Sequence, residues 1–248
     1  MPSANDPKQN HLLRALSSDA FARLLPDLEF VPMPLGSSVY EADVPLDYVY
    51  FPTTSMVSLL YVMDNGDSAE IAVIGNDGMV GVSVFMGGAV MSSRAVVQNG
   101  GKGYRLTADT FNKEFGRGSS LQQVALRFTQ ALMAQMIQTG ACNRHHTVEQ
   151  QLCRWLLLTL DRLPGDSVTM TKQLIGNMLG VNRDGVAAAT NKLQEEGSIR
   201  YDGRKIIVQD RKLLEETACE CYSVVKKEIE RLLTFERSRE GAVLSMPN

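Results

Sequence analysis

The chain is 248 residues long, 44% hydrophobic and 21% charged, with a net charge of −3 and a pI near 5.7. This is the composition of a folded protein with apolar cores, and the length leaves room for two domains. The acidic balance excludes a protein that coats nucleic acid through bulk positive charge, but not one with a local basic patch.

No uncharged apolar run approaches the ~20 residues needed to span a bilayer, so no membrane partner is expected. The start, "MPSANDPKQNHLLRAL", lacks the apolar stretch of a secretion signal, and a cytoplasmic protein is expected. All four cysteines (Cys142, Cys153, Cys219, Cys221) fall in the second half. Without export they read as free thiols rather than a disulfide framework.

In chain order, residues 1–10 are polar and read as a loose tail. "NHLLRALSSDAFARLL" (10–25) reads as a short helix or helix pair, with Ser17-Ser18-Asp19 as a cap. From Leu28 to about Thr107 the texture is of short strands: "EFVPM", "SSVYEA", "DYVYFP", "SMVSLLYVM", "AEIAVIG", "RAVVQ" and "GYRLT". Turn signals separate them at Asp64-Asn65-Gly66, Asn76-Asp77-Gly78 and Asn99-Gly100-Gly101. Short, regularly spaced strands predict a sandwich or closed roll, because closure removes exposed edges.

Helix texture returns with "SSLQQVALRFTQALMAQMIQTGACN", Ser119 to Asn143. Leu121, Ala125, Phe128, Leu132 and Met136 share one face, with Val124, Ala131 and Ile137 beside it. A stripe this long is expected to be a dimer seam; the plainer alternative is that it packs on the roll. "TVEQQLCRWLLLTLDRL" opens with a Thr147-x-x-Gln150 capping box and stops at Pro164-Gly165. A last helix is predicted over "RKLLEETACECYSVVKKEIERLLTF", its buried side formed by Leu214, Ala218, Cys221, Val225, Ile229 and Leu232. The tail from Glu236 reads as disordered.

Between these helices lies "TKQLIGNMLGVNRDGVAAATNKLQEEGSIRYDGRKIIV", from Thr171. Thr171 caps a helix whose residues Leu174, Ile175, Met178 and Leu179 face inward, and Gly180 ends it in the left-handed conformation. Val181 is the buried residue of the turn and Asn182 caps the next helix, anchored by Val186, Thr190 and Leu193. Arg183, Asp184, Ala187, Ala188 and Asn191 are left outward. Two helices joined by a short turn containing Gly are a helix-turn-helix signature, whose second helix enters the major groove. Small residues let it sit deep, Arg183 can donate two bonds to a guanine edge, and Ala187 and Ala188 suit thymine methyls. A hairpin turning at Asp202-Gly203 would be a wing, with Arg204 and Lys205 at its tip for phosphates; Lys172 lies beside the first cap. From Thr171 to Lys212 there are eight Lys/Arg against five Asp/Glu.

This stretch resembles the winged helix of the CRP/FNR family, the catabolite-activator-like bacterial transcription regulators. The likeness extends in architecture over roughly residues 10–210. It implies an α+β fold: a double-stranded β-roll of the cyclic-nucleotide-binding type (10–118), a dimerisation helix (119–144) and a winged helix-turn-helix with an extra C-terminal helix (147–235). By that resemblance Arg183 and Asp184 match the family's leading recognition-helix arginine and acid, while a second arginine common in its best-known members falls on Ala188. The resemblance further implies a homodimer joined through the long helix, a near-palindromic duplex DNA site, and RNA polymerase as partner.

In the family's nucleotide-sensing branch, a Gly-Glu-x-Gly element binds the ribose and an Arg-Ser pair the cyclic phosphate. Here the first becomes Gly78-Met79-Val80-Gly81 and the second "SSRAVV", with Ser93 and Arg94 in shifted order; the adenine-reading pair is half matched at Thr139. A thioether cannot replace a carboxylate that accepts two hydroxyl bonds, a loss of about 1.5–3 kcal/mol, so cyclic AMP is not expected. Residues 12–141 contain neither His nor Cys, which disfavours an iron–sulfur cluster, a haem ligand and a metal-dependent enzyme of the barrel type. "CNRHH", Cys142 to His146, with Cys153 nearby, matches no common zinc spacing. Cys219 and Cys221, two apart on a predicted helix, point in different directions, so no metal is expected.

The expectation is a homodimeric, sequence-specific DNA-binding regulator, not an enzyme, controlled by an unidentified signal at the roll. The alternative is a ligand-binding roll that docks on a protein partner without reading DNA.

Overall fold

The structure, a computed structural model, describes residues 6–88, 90–163 and 165–233. The expected disordered tail from Glu236, the first five residues and Pro164 lie outside the described residues.

Residues 6–10 are not a loose tail. Pro7–Gln9 form a 3₁₀ turn, followed by α1 (His11–Arg14) and α2 (Ser18–Leu24). Asn10 is the cause: its Oδ1 accepts from Leu12 and Leu13 N–H while its Nδ2 donates to the carbonyls of Pro52 and Gly78. One buried amide thus caps a helix and ties it to the roll, which satisfies every polar atom it brings inside.

The β-leaning runs become β1 (Glu29–Met33), β2 (Ser38–Tyr40), β3 (Tyr48–Pro52), β4 (Met56–Val62), β5 (Ser68–Ile74), β6 (Arg94–Asn99) and β7 (Gly101–Thr107). They form two antiparallel sheets, ordered β1-β7-β3 and β2-β6-β4-β5. A short helix, α3 (Ser83–Met86), leads into β6, and α4 (Ala108–Phe115) follows β7. Between the sheets lie Val49, Phe51, Val57, Leu59, Val97 and Leu106.

The long helix is α5 (Ser120–His145), and much of its apolar stripe belongs to this core. Leu121, Val124, Ala125, Phe128 and Leu132 are buried against the roll. Burying each such Leu, Val or Phe is worth about 1.5–3 kcal/mol, which fixes the helix on the sheets. Those side chains are therefore not the dimer seam. Ile137, expected beside them, points away and is 69% exposed.

A second core begins with α6 (Val148–Leu160), opened by the Thr147–Gln150 capping box. Then come β8 (Ser167–Thr169), α7 (Lys172–Leu179), α8 (Arg183–Glu195), β9 (Ile199–Asp202), β10 (Lys205–Val208), α9 (Arg211–Thr217) and α10 (Glu220–Leu233). Its interior holds Leu152, Trp155, Leu156, Ile175, Val186, Leu193, Ile206 and Leu214, together with Met56 and Val73 of the roll. The two halves share packing, and Arg162 adds a buried ion pair to Asp77 at 2.9 Å.

One long terminal helix was expected; there are two. Asp210 caps α9, and Ala218 turns extended at φ −65°, ψ 150°, so the chain restarts at Glu220. The break turns Cys219 out of helical register with Cys221. Instead of pointing apart, both reach the same buried spot with Cys142.

Candidate nucleic-acid interface

Thr171 caps α7 by accepting from Leu174 N–H at 3.2 Å, and Gly180 ends it at φ +68°. Asn182 caps α8, accepting from Gly185 N–H at 2.8 Å. Ile175, Met178 and Leu179 are buried, but Leu174 is exposed, contrary to expectation. The inner face of α7 is rotated because Gly176 occupies the crossing: a Cβ there would stand 2.7 Å from the Val181 carbonyl oxygen. Val181 itself is half-buried. Val186, Thr190 and Leu193 hold α8 from below, joined by Ala189.

Arg183, Asp184, Ala188 and Asn191 are exposed along one side of α8, with Ala187 half-buried among them. Next to them stands a three-stranded antiparallel sheet, β8-β10-β9, whose turn passes through Gly203 at φ +63°. Arg204 and Lys205 are exposed at this turn. Strand β8 went unread in the sequence because three residues carry no periodicity.

The local positive charge is unevenly used. Lys192 pairs with Glu149 at 2.8 Å, Arg211 with Asp161 and Glu215, and Lys212 with Glu216. Lys172, Arg183, Arg200, Arg204 and Lys205 have no carboxylate partner among the described residues, and each lies on α7, α8 or the wing. Tyr201 gathers three of them: the Lys172 ammonium is 5.0 Å from its ring, and the charges of Arg183 and Arg204 act on its phenol. Burial pushes that phenol up from its ordinary value, while the Lys172 backbone and the two arginines pull it back. Its hydroxyl donates to the Met170 carbonyl at 3.1 Å, which pins the wing to the segment between β8 and α7. Sequence reading passed over Tyr201, since one aromatic in a short strand gives no signal of its neighbours.

Gly78 lies beneath Phe128, whose ring carbons come within 2.5 Å of the place of a Cβ. Met79 is buried in the roll core, and Gly81 backs onto Leu46 and Tyr48. Ser93 is buried against Tyr40 at 3.3 Å, and Arg94 pairs with Glu41 at 3.3 Å. Thr139 accepts from Arg154 at 3.1 Å. Ser93, Arg94 and Thr139 thus each have a polar partner within the chain, while the buried Arg94 Nε has none among the described residues.

A two-sheet roll, one long helix and a helix-turn-helix with a basic wing define a roll-plus-winged-helix protein. The family model of the Crp-like helix-turn-helix domain matches residues 150–217. A putative CRP/FNR-family transcriptional regulator from Eubacterium rectale superposes with a TM-score of 0.67 at 13% identity, over 85% of this chain and 98% of its own. The c-di-GMP-responsive global regulator CLP of Xanthomonas campestris gives 0.63 at 14%, over 78% and 100%. FixK2 of Bradyrhizobium japonicum gives 0.61 at 16%, over 77% and 98%. No curated protein matches the chain in sequence. The chain carries a Crp-like helix-turn-helix domain and has the fold of the CRP/FNR family of transcription regulators. No helix among the described residues is long and apolar enough to cross a membrane.

Proposed function

We propose that the protein is a homodimeric, sequence-specific DNA-binding transcription regulator of the CRP/FNR type, not an enzyme. The observation that carries this reading is the outward side of α8, where Arg183 and Asp184 stand beside unpaired wing cations. An α8 seated in the major groove puts Arg183 at base edges, with Ala187, Ala188 and Asn191 close behind. Lys172, Arg204 and Lys205 then meet phosphates, which position without specifying.

The dimer is supported by the other side of α5. Leu126, Gln130, Met133, Ile137, Gly140 and Arg144 are exposed at spacings of four and three, the pattern of a coiled-coil seam. Two reading heads related by a two-fold axis would meet half-sites about 34–36 Å apart on a near-palindromic site. The signal that sets them is not cyclic AMP in this reading, and RNA polymerase is the partner on which such a regulator acts.

Selection from a random duplex pool at moderate salt tests this directly. An enriched palindrome with half-sites one helical turn apart is the expected outcome. Retention of no sequence over the bulk pool would favour instead a roll that docks on a protein partner.

A further inference from the structure

Cys142, His146, Cys219 and Cys221 are gathered at the joint between the long helix and the C-terminal helices. Every candidate ligand atom there lies within 4.8 Å of every other. Cys142 and His146 are four residues apart, so they share a face of the last turn of α5 and its cap. Cys219 and Cys221 flank Glu220 at the start of α10, brought together by the break at Ala218. The three cysteines are buried and form a small cluster apart from the two main cores.

We propose that this Cys₃His cluster is a closed binding site for a single zinc-type divalent ion, which staples the α9–α10 joint to the end of α5. The separations carry the argument. Zn–S bonds of ~2.3 Å and Zn–N bonds of ~2.0–2.1 Å give tetrahedral edges of roughly 3.5–3.8 Å. The Cys142 and Cys219 sulfurs are 3.5 Å apart, and the Cys221 sulfur is 3.4 Å from His146 Nδ1. The longest separation closes by about 1 Å to complete the tetrahedron. Ligand atoms this near one another enclose one ion, whereas an iron–sulfur cluster spreads its ligands over several metals.

The surroundings are those of a metal site. His146 Nε2 lies 3.3 Å from a Glu220 carboxylate oxygen, so its N–H can donate there and leave Nδ1 free to ligate. Gln138 donates an amide N–H to the Cys221 sulfur at 3.0 Å. Binding displaces three thiol protons to solvent: the 2+ ion, three thiolates and a neutral imidazole leave one net negative charge. Arg154 answers it, being a buried guanidinium whose Nε has no hydrogen-bond partner among the described residues and whose charge acts on Cys142. A Cys142–Cys219 disulfide, by contrast, would leave His146, Cys221 and Glu220 unexplained.

The test is titration of the full-length, reduced, metal-stripped protein with Zn²⁺ and, in parallel, with Co²⁺. Expected are one equivalent bound per chain, release of protons, a higher Tm, and the thiolate charge-transfer and intense d–d bands of tetrahedral Co²⁺. Cys142→Ala and His146→Ala should weaken binding at least 100-fold, and Glu220→Gln by about 10–100-fold. Cys153→Ala should leave it unchanged, since Cys153 lies in the α6 core, where burial pushes its thiol to about 12. The proposal is overturned by no stoichiometric uptake in the wild type, by an octahedral Co²⁺ spectrum, or by equal uptake in Cys142→Ala. A Cys142–Cys219 disulfide or iron–sulfur absorption in the natively purified protein would overturn it too. None of these readouts requires DNA, so the outcome is independent of the proposed function.

Discussion

Glu70 stands where the roll meets the helix-turn-helix, buried on β5 and bonded to Ser58. The single Ser58 hydroxyl proton faces two acceptors, Glu70 and the Gln98 carbonyl oxygen, and Gln98 passes its own N–H to the Met178 sulfur of α7. A protonated Glu70 resolves the count by donating to Ser58, which then donates onward. Burial raises the carboxyl from 4.5 to about 7, against the Ser58 bond and the charges of Arg154 and Arg162, which lower it. The folded chain therefore holds this proton more tightly than the unfolded one. Its contribution is complete below about pH 4.5 and is lost as pH rises through 7, on the order of 3 kcal/mol in all. Glu70→Gln should flatten that slope, read from urea midpoints at pH 5 and pH 8; a slope equal to wild type would contradict the assignment. At the opposite face, Arg183→Ala should cost about 1–3 kcal/mol on the selected DNA site and far less on random duplex. Lys205→Ala should instead weaken both alike and lower the salt slope by about one. Equal losses on both duplexes for Arg183→Ala would remove its base-reading role.

Among the elements, α5 works on two faces. Its inner face is committed to the roll through Phe128 and Leu132, while Leu126, Met133 and Ile137 stay exposed in the single chain. Ile137→Asp places a charge in the proposed seam without touching either core. Light scattering should then show a monomer where the wild type is a dimer, with the folded-state circular dichroism unchanged. The stripe from Leu121 to Met136 was legible as a buried face, yet periodicity does not name the partner surface. Both faces of α5 carry apolar residues at three-and-four spacing, and only the position of the roll separates them. Similarly, the helix-turn-helix could be read from Thr171, Gly180 and Asn182, because caps and a left-handed glycine are local signals. Leu174 was misplaced because the crossing at Gly176, a contact between two helices, sets the inner face.

The whole molecule is held as one piece by polar contacts as well as by its two cores. Arg162 is 3% exposed in its side chain, pairs with Asp77, and bonds the Leu158 carbonyl and Gln135. Asp77→Ala leaves that cation buried without its carboxylate, and should cost about 3 kcal/mol in denaturant midpoints. A loss below about 1 kcal/mol would show that the remaining carbonyls suffice. Asp77 was legible only as part of the turn Asn76-Asp77-Gly78; its ion pair spans 85 residues. The sequence by itself determined the succession of elements, the capped turn at Gly180 and the outward set on α8, because hydrophobic period, caps and turn chemistry act over a few residues. Only the tertiary structure decided which face of α5 the roll covers, that Tyr201 gathers Lys172, Arg183 and Arg204, and that Cys142, His146, Cys219 and Cys221 meet. Those outcomes depend on where distant segments land, and spacing along the chain does not encode distance across it.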